Sequence, residues 1–132
     1  MELNNTNYEN DGFITMKRWL ENRNEGKTFV DYFKKCRFMK IAIYGAGDMG
    51  RLLYAEIKDS DIEVLFFVDR NAEGIMEMDG IPVVTIDRIS KMPEVDIIVI
   101  TPAGNFDAIS QALAKTVPSA RTISLKEAVY EF

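Results

Sequence analysis

The first part of the chain carries apolar side chains at helical spacing. From Phe13 onwards an apolar residue returns every three or four positions, which predicts a helix with Phe13, Met16 and Leu20 on one face. Thr28 has the character of an N-cap and precedes a second apolar stretch that reaches residue 36. The pattern therefore predicts a pair of helices at the start of the chain, with the asparagine-rich segment 1–12 ahead of them as a flexible tail.

From residue 40 the rhythm changes to short apolar runs of the kind found in strands buried on both faces. Five strands are predicted, over 40–44, 63–68, 81–86, 95–101 and 121–125. Amphipathic segments follow the first and fourth runs, so strands alternate with helices, and this predicts a parallel sheet covered by helices on both faces. The expected strand order is 3-2-1-4-5, and ligands of such sheets bind at the carboxyl ends of the strands where the order reverses.

A glycine-rich stretch, GAGDMG, joins the first predicted strand to its helix. Gly45, Gly47 and Gly50 have the G-x-G-x-x-G spacing, in which the first glycine makes a tight turn, the second admits a pyrophosphate, and the third lets the helix approach the sheet. Asp69 ends the next strand, about 20 residues further on, where a carboxylate accepts hydrogen bonds from ribose hydroxyls. That charge favours NAD over NADP, although the adjacent Arg70 weakens the preference. Together these features predict a Rossmann-like three-layer α/β sandwich.

The remaining loop residues leave two interpretations open. Ala46, Asp48 and Met49 complete the predicted cofactor-binding loop, but a carboxylate at Asp48 can cap the helix and compete with a phosphate for the same N–H groups. Arg51 offsets that charge or is simply a solvated helix residue. A turn retained for packing alone would still need the third glycine and the first, so the motif by itself does not separate a nucleotide site from a packing turn.

A second loop, TPAGNFD at 101–107, follows the fourth predicted strand and falls at the point where the strand order reverses. Thr101 and Pro102 are candidate ligand contacts, and Gly104 permits close approach. Asn105 either caps the next helix or contacts the ligand.

Composition narrows the classes of function. The net charge of −5 and the pI near 4.8 argue against a nucleic-acid surface, which needs clustered positive charge. The chain has no histidine and one cysteine, so histidine-based catalytic sites are excluded and a metal site is not expected. Catalytic residues stay unassigned. No apolar run approaches the length of a membrane span, and no signal peptide is recognised, so a cytoplasmic protein is expected.

Four stretches, IAIYGAGDMGRLL, VLFFVDRNA, GIPVV and VDIIVITPAGNFDAI, together resemble the NAD(P)-binding Rossmann domains of bacteria. The likeness is to small nucleotide-binding domains of surface-polysaccharide and nucleotide-sugar biosynthesis, and DIIVITPAG is also similar to sugar oxidoreductases of the glucose-fructose oxidoreductase type. The resemblance implies that the three glycines face the phosphates, Asp69 the ribose, and Thr101 and Pro102 the middle of the cofactor. The chain departs from these families in lacking a second domain and a Lys-Pro or Tyr-x-x-x-Lys catalytic pair.

These observations support three hypotheses of function. In the first, residues 13–37 form a helical extension of a nucleotide-binding domain at 38–132, which holds NAD or a nucleotide-sugar and works with a partner enzyme in polysaccharide or nucleotide-sugar metabolism. In the second, the chain is a minimal NAD-dependent sugar dehydrogenase whose site is shared across a homodimer formed through residues 13–36. In the third, it is an interaction module with a dead nucleotide site.

Overall fold

One mixed sheet forms the centre of the molecule in a computed structural model that describes residues 2–102 and 104–132, with side chains from residue 11 on. Its strands are β1 (Lys40–Tyr44), β2 (Glu63–Val68), β3 (Glu77–Met78), β4 (Ile81–Val84), β5 (Ile97–Ile100) and β6 (Thr122–Ser124). They lie in the order β3-β4-β2-β1-β5-β6, and β3 pairs with β4 antiparallel while the other neighbours are parallel.

Helices cover both faces of this sheet. They are α1 (Glu2–Asn24), α2 (Phe29–Cys36), α3 (Asp48–Ile57), α4 (Ala72–Ile75), α5 (Phe106–Thr116) and α6 (Leu125–Ala128), with a 3-10 helix at Ile86–Lys91. Ile41 and Ile43 of β1 belong to an apolar cluster shared with α1, α2, α3 and α6. Ala42, between them in sequence, belongs to a second cluster shared with α5 and the 3-10 helix. Because side chains alternate across a strand, the two clusters fill opposite faces of the sheet.

The α/β class is confirmed, and the five predicted strands take the predicted order, but the sheet is not wholly parallel. The prediction of five strands is corrected to six, because β3 adds a two-residue antiparallel strand beside β4. The turn between them holds Asp79 and Gly80 at φ 54° and 80°, the conformation that favours a tight hairpin. The sequence marks this turn, but a two-residue strand is too short to show a hydrophobic period.

Helix α1 differs from its prediction in its start, and the structure shows which of its faces is buried. It begins at Glu2 rather than at Phe13, so residues 2–12 of the expected tail are helical; Met1 lies outside the described residues. Phe13 and Leu20 are 68% and 61% exposed, while Trp19 and Asn22 face the interior. Burial of the polar Asn22 is possible because its amide donates a hydrogen bond of 2.7 Å to the carbonyl of Val129.

The helical pair shares the core of the sheet. Phe29 of α2 is fully buried and makes edge-to-face contacts with Trp19 and Phe132, at ring distances of 5.2 Å and 4.8 Å. Thr28 caps α2 as predicted, its hydroxyl accepting from the backbone N–H of Asp31 at 3.2 Å. The helices thus lie on the same face as α3.

A buried carboxylate, that of Glu56 on α3, joins the three helices. Its Oε1 accepts from the Trp19 indole N–H at 2.9 Å and from Arg23 Nη1 at 3.0 Å, and its Oε2 accepts from the backbone N–H of Phe29 at 2.7 Å. Its side chain is only 4% exposed. Among the described helices, none is long and apolar enough to cross a membrane.

Candidate functional site

Two glycines of the GAGDMG loop are required by packing. Gly45 has φ 107°, and a Cβ added there would lie 2.5 Å from the Oγ1 of Thr101. A Cβ at Gly50 would lie 1.9 Å from the carbonyl oxygen of Gly45, because α3 begins directly against the loop. A side chain at either position would therefore force the loop, the helix or the strand end to move.

Gly47 is different. Its φ of −89° suits any residue, and an added Cβ would meet no heavy atom of the described residues within 4 Å. Gly47 is also the N-cap residue of α3, and it provides no side-chain cap for that helix. The first N–H groups of α3 thus point towards an open surface at the carboxyl end of β1, with nothing on Gly47 to obstruct an approaching group.

Asp69 holds the loop in place. Its Oδ2 accepts from the backbone N–H of Ala46, and its Oδ1 accepts from the backbone N–H of Asn71, both at 2.8 Å. Asp69, the residue predicted to bind a ribose, therefore also connects the glycine loop to the end of β2. Each carboxylate oxygen keeps a further lone pair for a ligand hydroxyl.

The other loop residues have separate positions. Asp48 is the first residue of α3 and is exposed; the interpretation of Asp48 as an N-cap is wrong by one residue, because Gly47 occupies that position. Arg51 is anchored by its Nε, which donates to the carbonyl of Ala46 at 3.0 Å, so its guanidinium lies over the loop. The side chain of Met49 packs against the core, so only its backbone is available to a ligand at the loop.

Thr101 supports the loop from below. It is 3% exposed, and its hydroxyl donates to the carbonyl of Tyr44 at 2.8 Å. Pro102 is half-buried and would lie 3.2 Å from a Cβ at Gly45. Exposed Arg70 stands near the phenol of Tyr44, whose pKa is raised by burial and lowered in part by the Arg70 charge. The structure thus groups the glycine loop, Asp69 and Pro102 at one edge, with the Thr101 hydroxyl turned inward.

A cavity of about 580 Å³ lies beyond Pro102, at the carboxyl ends of β5 and β6. The described residues that line it are Asp11, Pro102, Gly104, Asn105, Phe106, Asp107, Ala108, Ser124, Lys126 and Glu127. Asn105 occupies the N-cap position of α5 at φ 63°, but its side chain makes no cap hydrogen bond there. Asn105 thus occupies the N-cap position, as one of the two alternatives predicted, but its side chain does not cap the helix.

Sequence reasoning missed the far wall of this cavity. Ser124 caps α6, because its hydroxyl accepts from the backbone N–H of Glu127 at 3.1 Å, and the S-x-x-E spacing in the sequence could have indicated this cap. Lys126 forms an ion pair of 3.3 Å with Asp11, which lies near the other end of the sequence. Within the described residues, no group of three or more cysteine or acidic side chains is arranged to hold a metal ion.

Comparison with known families gives one match. Residues 37–123, more than half of the chain, match the family described as C2185-like, N-terminal. The chain belongs to this family. The C2185-like match begins at the end of α2 and ends within β6, so it contains the glycine loop, Asp69 and Pro102. No curated protein and no solved structure matches the chain.

Proposed function

We propose that this chain is a Rossmann-like nucleotide-binding module whose GAGDMG loop holds the diphosphate of NAD or of a nucleotide-sugar. The observation that carries the proposal is Gly47. Gly45 and Gly50 are explained by contacts inside the protein, whereas a Cβ at Gly47 would meet no heavy atom of the described residues within 4 Å. An approaching phosphate is the reason for a bare backbone at this position.

The surrounding groups suit a diphosphate and a ribose. The N-terminus of α3 supplies free N–H groups and the positive end of the helix dipole, and Arg51 lies over the loop as a nearby cation. Asp69 has lone pairs left to accept from ribose hydroxyls, and its charge opposes a 2′-phosphate, which favours NAD over NADP. The exposed Arg70 moderates that preference.

We propose that the module is an accessory to another enzyme. We place the module in the cytoplasm of a bacterium, acting with a partner enzyme in polysaccharide or nucleotide-sugar metabolism, on the strength of the sequence resemblance. The family description names an N-terminal part, which supports a domain that works together with others.

Two alternatives make different predictions. A minimal sugar dehydrogenase with a site shared across a dimer would reduce NAD in the presence of a sugar. An interaction module with a dead site would bind no nucleotide. Asp48 is exposed and is not the N-cap of α3, so its carboxylate does not close the loop as a cap, and this supports retained binding over a dead site. Its charge in the first turn offsets part of the helix dipole, as Asp107 does in α5.

The first experiment measures thermal unfolding of the chain and of Gly47→Val with NAD, NADP, ADP and nucleotide-sugars at millimolar concentration. We expect at least one nucleotide to raise the Tm of the parent chain by mass action. Gly47→Val should lose that rise, while its Tm without ligand stays within about 3 °C of the parent value, because the added side chain has open space. Unchanged binding in Gly47→Val, or no rise with any nucleotide, would contradict the proposal.

A further inference from the structure

We infer that the cavity beyond Pro102 receives the group attached to the far end of the diphosphate, and that it takes an uncharged, polyhydroxylated group and discriminates against an anionic one. The inference rests on the proposed function and names the class of substituent at the same site. Four observations carry it: the position of the cavity, its size, its charges and its hydrogen-bonding groups.

The cavity adjoins the glycine loop. Pro102 lines the cavity, and its ring would lie 3.2 Å from a Cβ added at Gly45. Strand β5, which leads into the cavity wall, is the direct neighbour of β1, which leads into the loop. A ligand whose diphosphate rests on the loop can therefore extend over Pro102. The volume of about 580 Å³ is ample for one sugar ring.

Acidic side chains outnumber basic ones around the cavity. Asp11, Asp107 and Glu127 line it, against the single cation Lys126. Lys126 is already paired with Asp11 at 3.3 Å, so its charge is largely balanced within the protein. Asp107 lies in the first turn of α5 and offsets the positive end of that helix dipole. An incoming carboxylate would meet net negative charge here, and an uncharged group would not.

The polar groups suit hydroxyls. The Asn105 amide contains both a donor and an acceptor, and neither is used as a cap of α5. The carboxylate of Asp107 only accepts, which suits hydroxyl donors, and the half-buried ring of Phe106 offers an apolar surface for the carbon face of a sugar. This combination fits a polyol better than a flat apolar group.

Isothermal titration of three probes tests the inference: UDP, UDP-glucose and UDP-glucuronate, which differ only in the distal group. We expect UDP-glucose to bind at least five-fold tighter than UDP, and UDP-glucuronate to bind about ten-fold weaker than UDP-glucose. Asp107→Asn should narrow the gap between the two sugars. Asn105→Gly, which tolerates the positive φ, should reduce the gain in affinity that glucose brings over UDP alone.

Gly47→Val serves as the control for the proposed function, because it should weaken all three probes alike. Equal affinity for the three probes, or a preference for the glucuronate, would overturn the inference while leaving nucleotide binding intact. Binding of NAD without binding of UDP-glucose would do the same. Failure of every nucleotide, in the parent chain as well as in the variants, would overturn the proposed function and the inference with it.

Discussion

At Gly50 the first turn of α3 lies so close to the loop that there is no room for a methyl group, whereas a Cβ at Gly47 would meet no heavy atom of the described residues within 4 Å. The two positions belong to one motif, yet one is fixed by the interior of the protein and the other by what lies outside it. Stability and binding can therefore be separated by substituting one glycine at a time.

We predict opposite effects on stability for Gly50→Ala and Gly47→Ser. The alanine Cβ would lie 1.9 Å from the Gly45 carbonyl oxygen, so Gly50→Ala should lower the free energy of unfolding by about 3 kcal/mol or more. Serine at the N-cap position should keep or raise stability by up to about 1 kcal/mol and weaken nucleotide binding, because its hydroxyl occupies the same N–H groups. Urea unfolding of both variants checks this; equal losses of stability would contradict it.

At the scale of elements, α3 is the connection between the site and the rest of the fold. The first residues of α3 are the last residues of the glycine loop. In the last turn of α3, Glu56 accepts hydrogen bonds from both helices of the N-terminal pair. Tyr54 on the same helix donates a hydrogen bond of 2.6 Å to Asp79 in the β3–β4 turn. Placement of the loop therefore depends on contacts of α3 with two separate parts of the chain.

We predict that Glu56→Ala lowers the free energy of unfolding by about 3 kcal/mol, because it leaves the Trp19 indole and the Phe29 backbone N–H without an acceptor in the interior. Glu21→Ala is the matched control, since Glu21 belongs to an exposed pair with Lys17 and should have little effect. Urea unfolding measures both; a loss in Glu21→Ala as large as that in Glu56→Ala would contradict the assigned role.

We predict an alkaline loss of stability at the Tyr54–Asp79 contact. The hydrogen bond to Asp79 raises the pKa of Tyr54 from 10.0 to about 12. Since the folded pKa is the higher one, the contribution is complete below pH 10 and is lost as the pH rises towards 12. The stability advantage of the parent chain over Tyr54→Phe should therefore shrink over this range. A difference that is independent of pH would contradict the contact.

Local patterns were enough to predict β1 and β2 to the residue, the cap at Thr28 and the glycine loop, because each depends on neighbours in sequence. The role of Glu56 was not predictable, since a single glutamate in an amphipathic helix is typical of a solvent-exposed face. The buried face of α1 was not predictable, because the carbonyl that accepts a hydrogen bond from the buried Asn22 lies more than a hundred residues away in sequence. The place of the candidate site at the carboxyl ends of the strands was predictable. The hydrogen bond from Ala46 to Asp69 and the inward direction of the Thr101 hydroxyl were not, because each depends on a backbone group more than twenty residues away.

At the scale of the whole molecule, α1 has two apolar faces and the fold buries only one. Phe13 and Leu20 are exposed, and their spacing of seven residues places them on the same side of the helix, where they form an outer seam. A second copy packed against this seam would bury apolar side chains that the monomer leaves exposed. Homodimerisation through residues 13–36 thus stays a prediction, with the interface on this outer seam.

We predict that the chain sediments as a dimer at high concentration and that Leu20→Lys shifts it to the monomer. Leu20 is 61% exposed, so the lysine should not disturb the fold. Met76→Lys is the control, because Met76 is 72% exposed but lies far along the chain from α1. A monomer at every concentration, or equal effects of both substitutions, would contradict the dimer.

The hydrogen bond between Trp19 and Glu56 also gives the molecule a built-in optical reporter. Trp19 is the only tryptophan of the chain, and its buried ring lies edge-on to Phe29. Tryptophan fluorescence therefore arises from one place, the contact of α1 and α2 with α3. The emission of Trp19 would move to longer wavelength when α1 and α2 separate from α3. A single unlabelled sample can therefore reveal whether the helical pair detaches before the sheet unfolds.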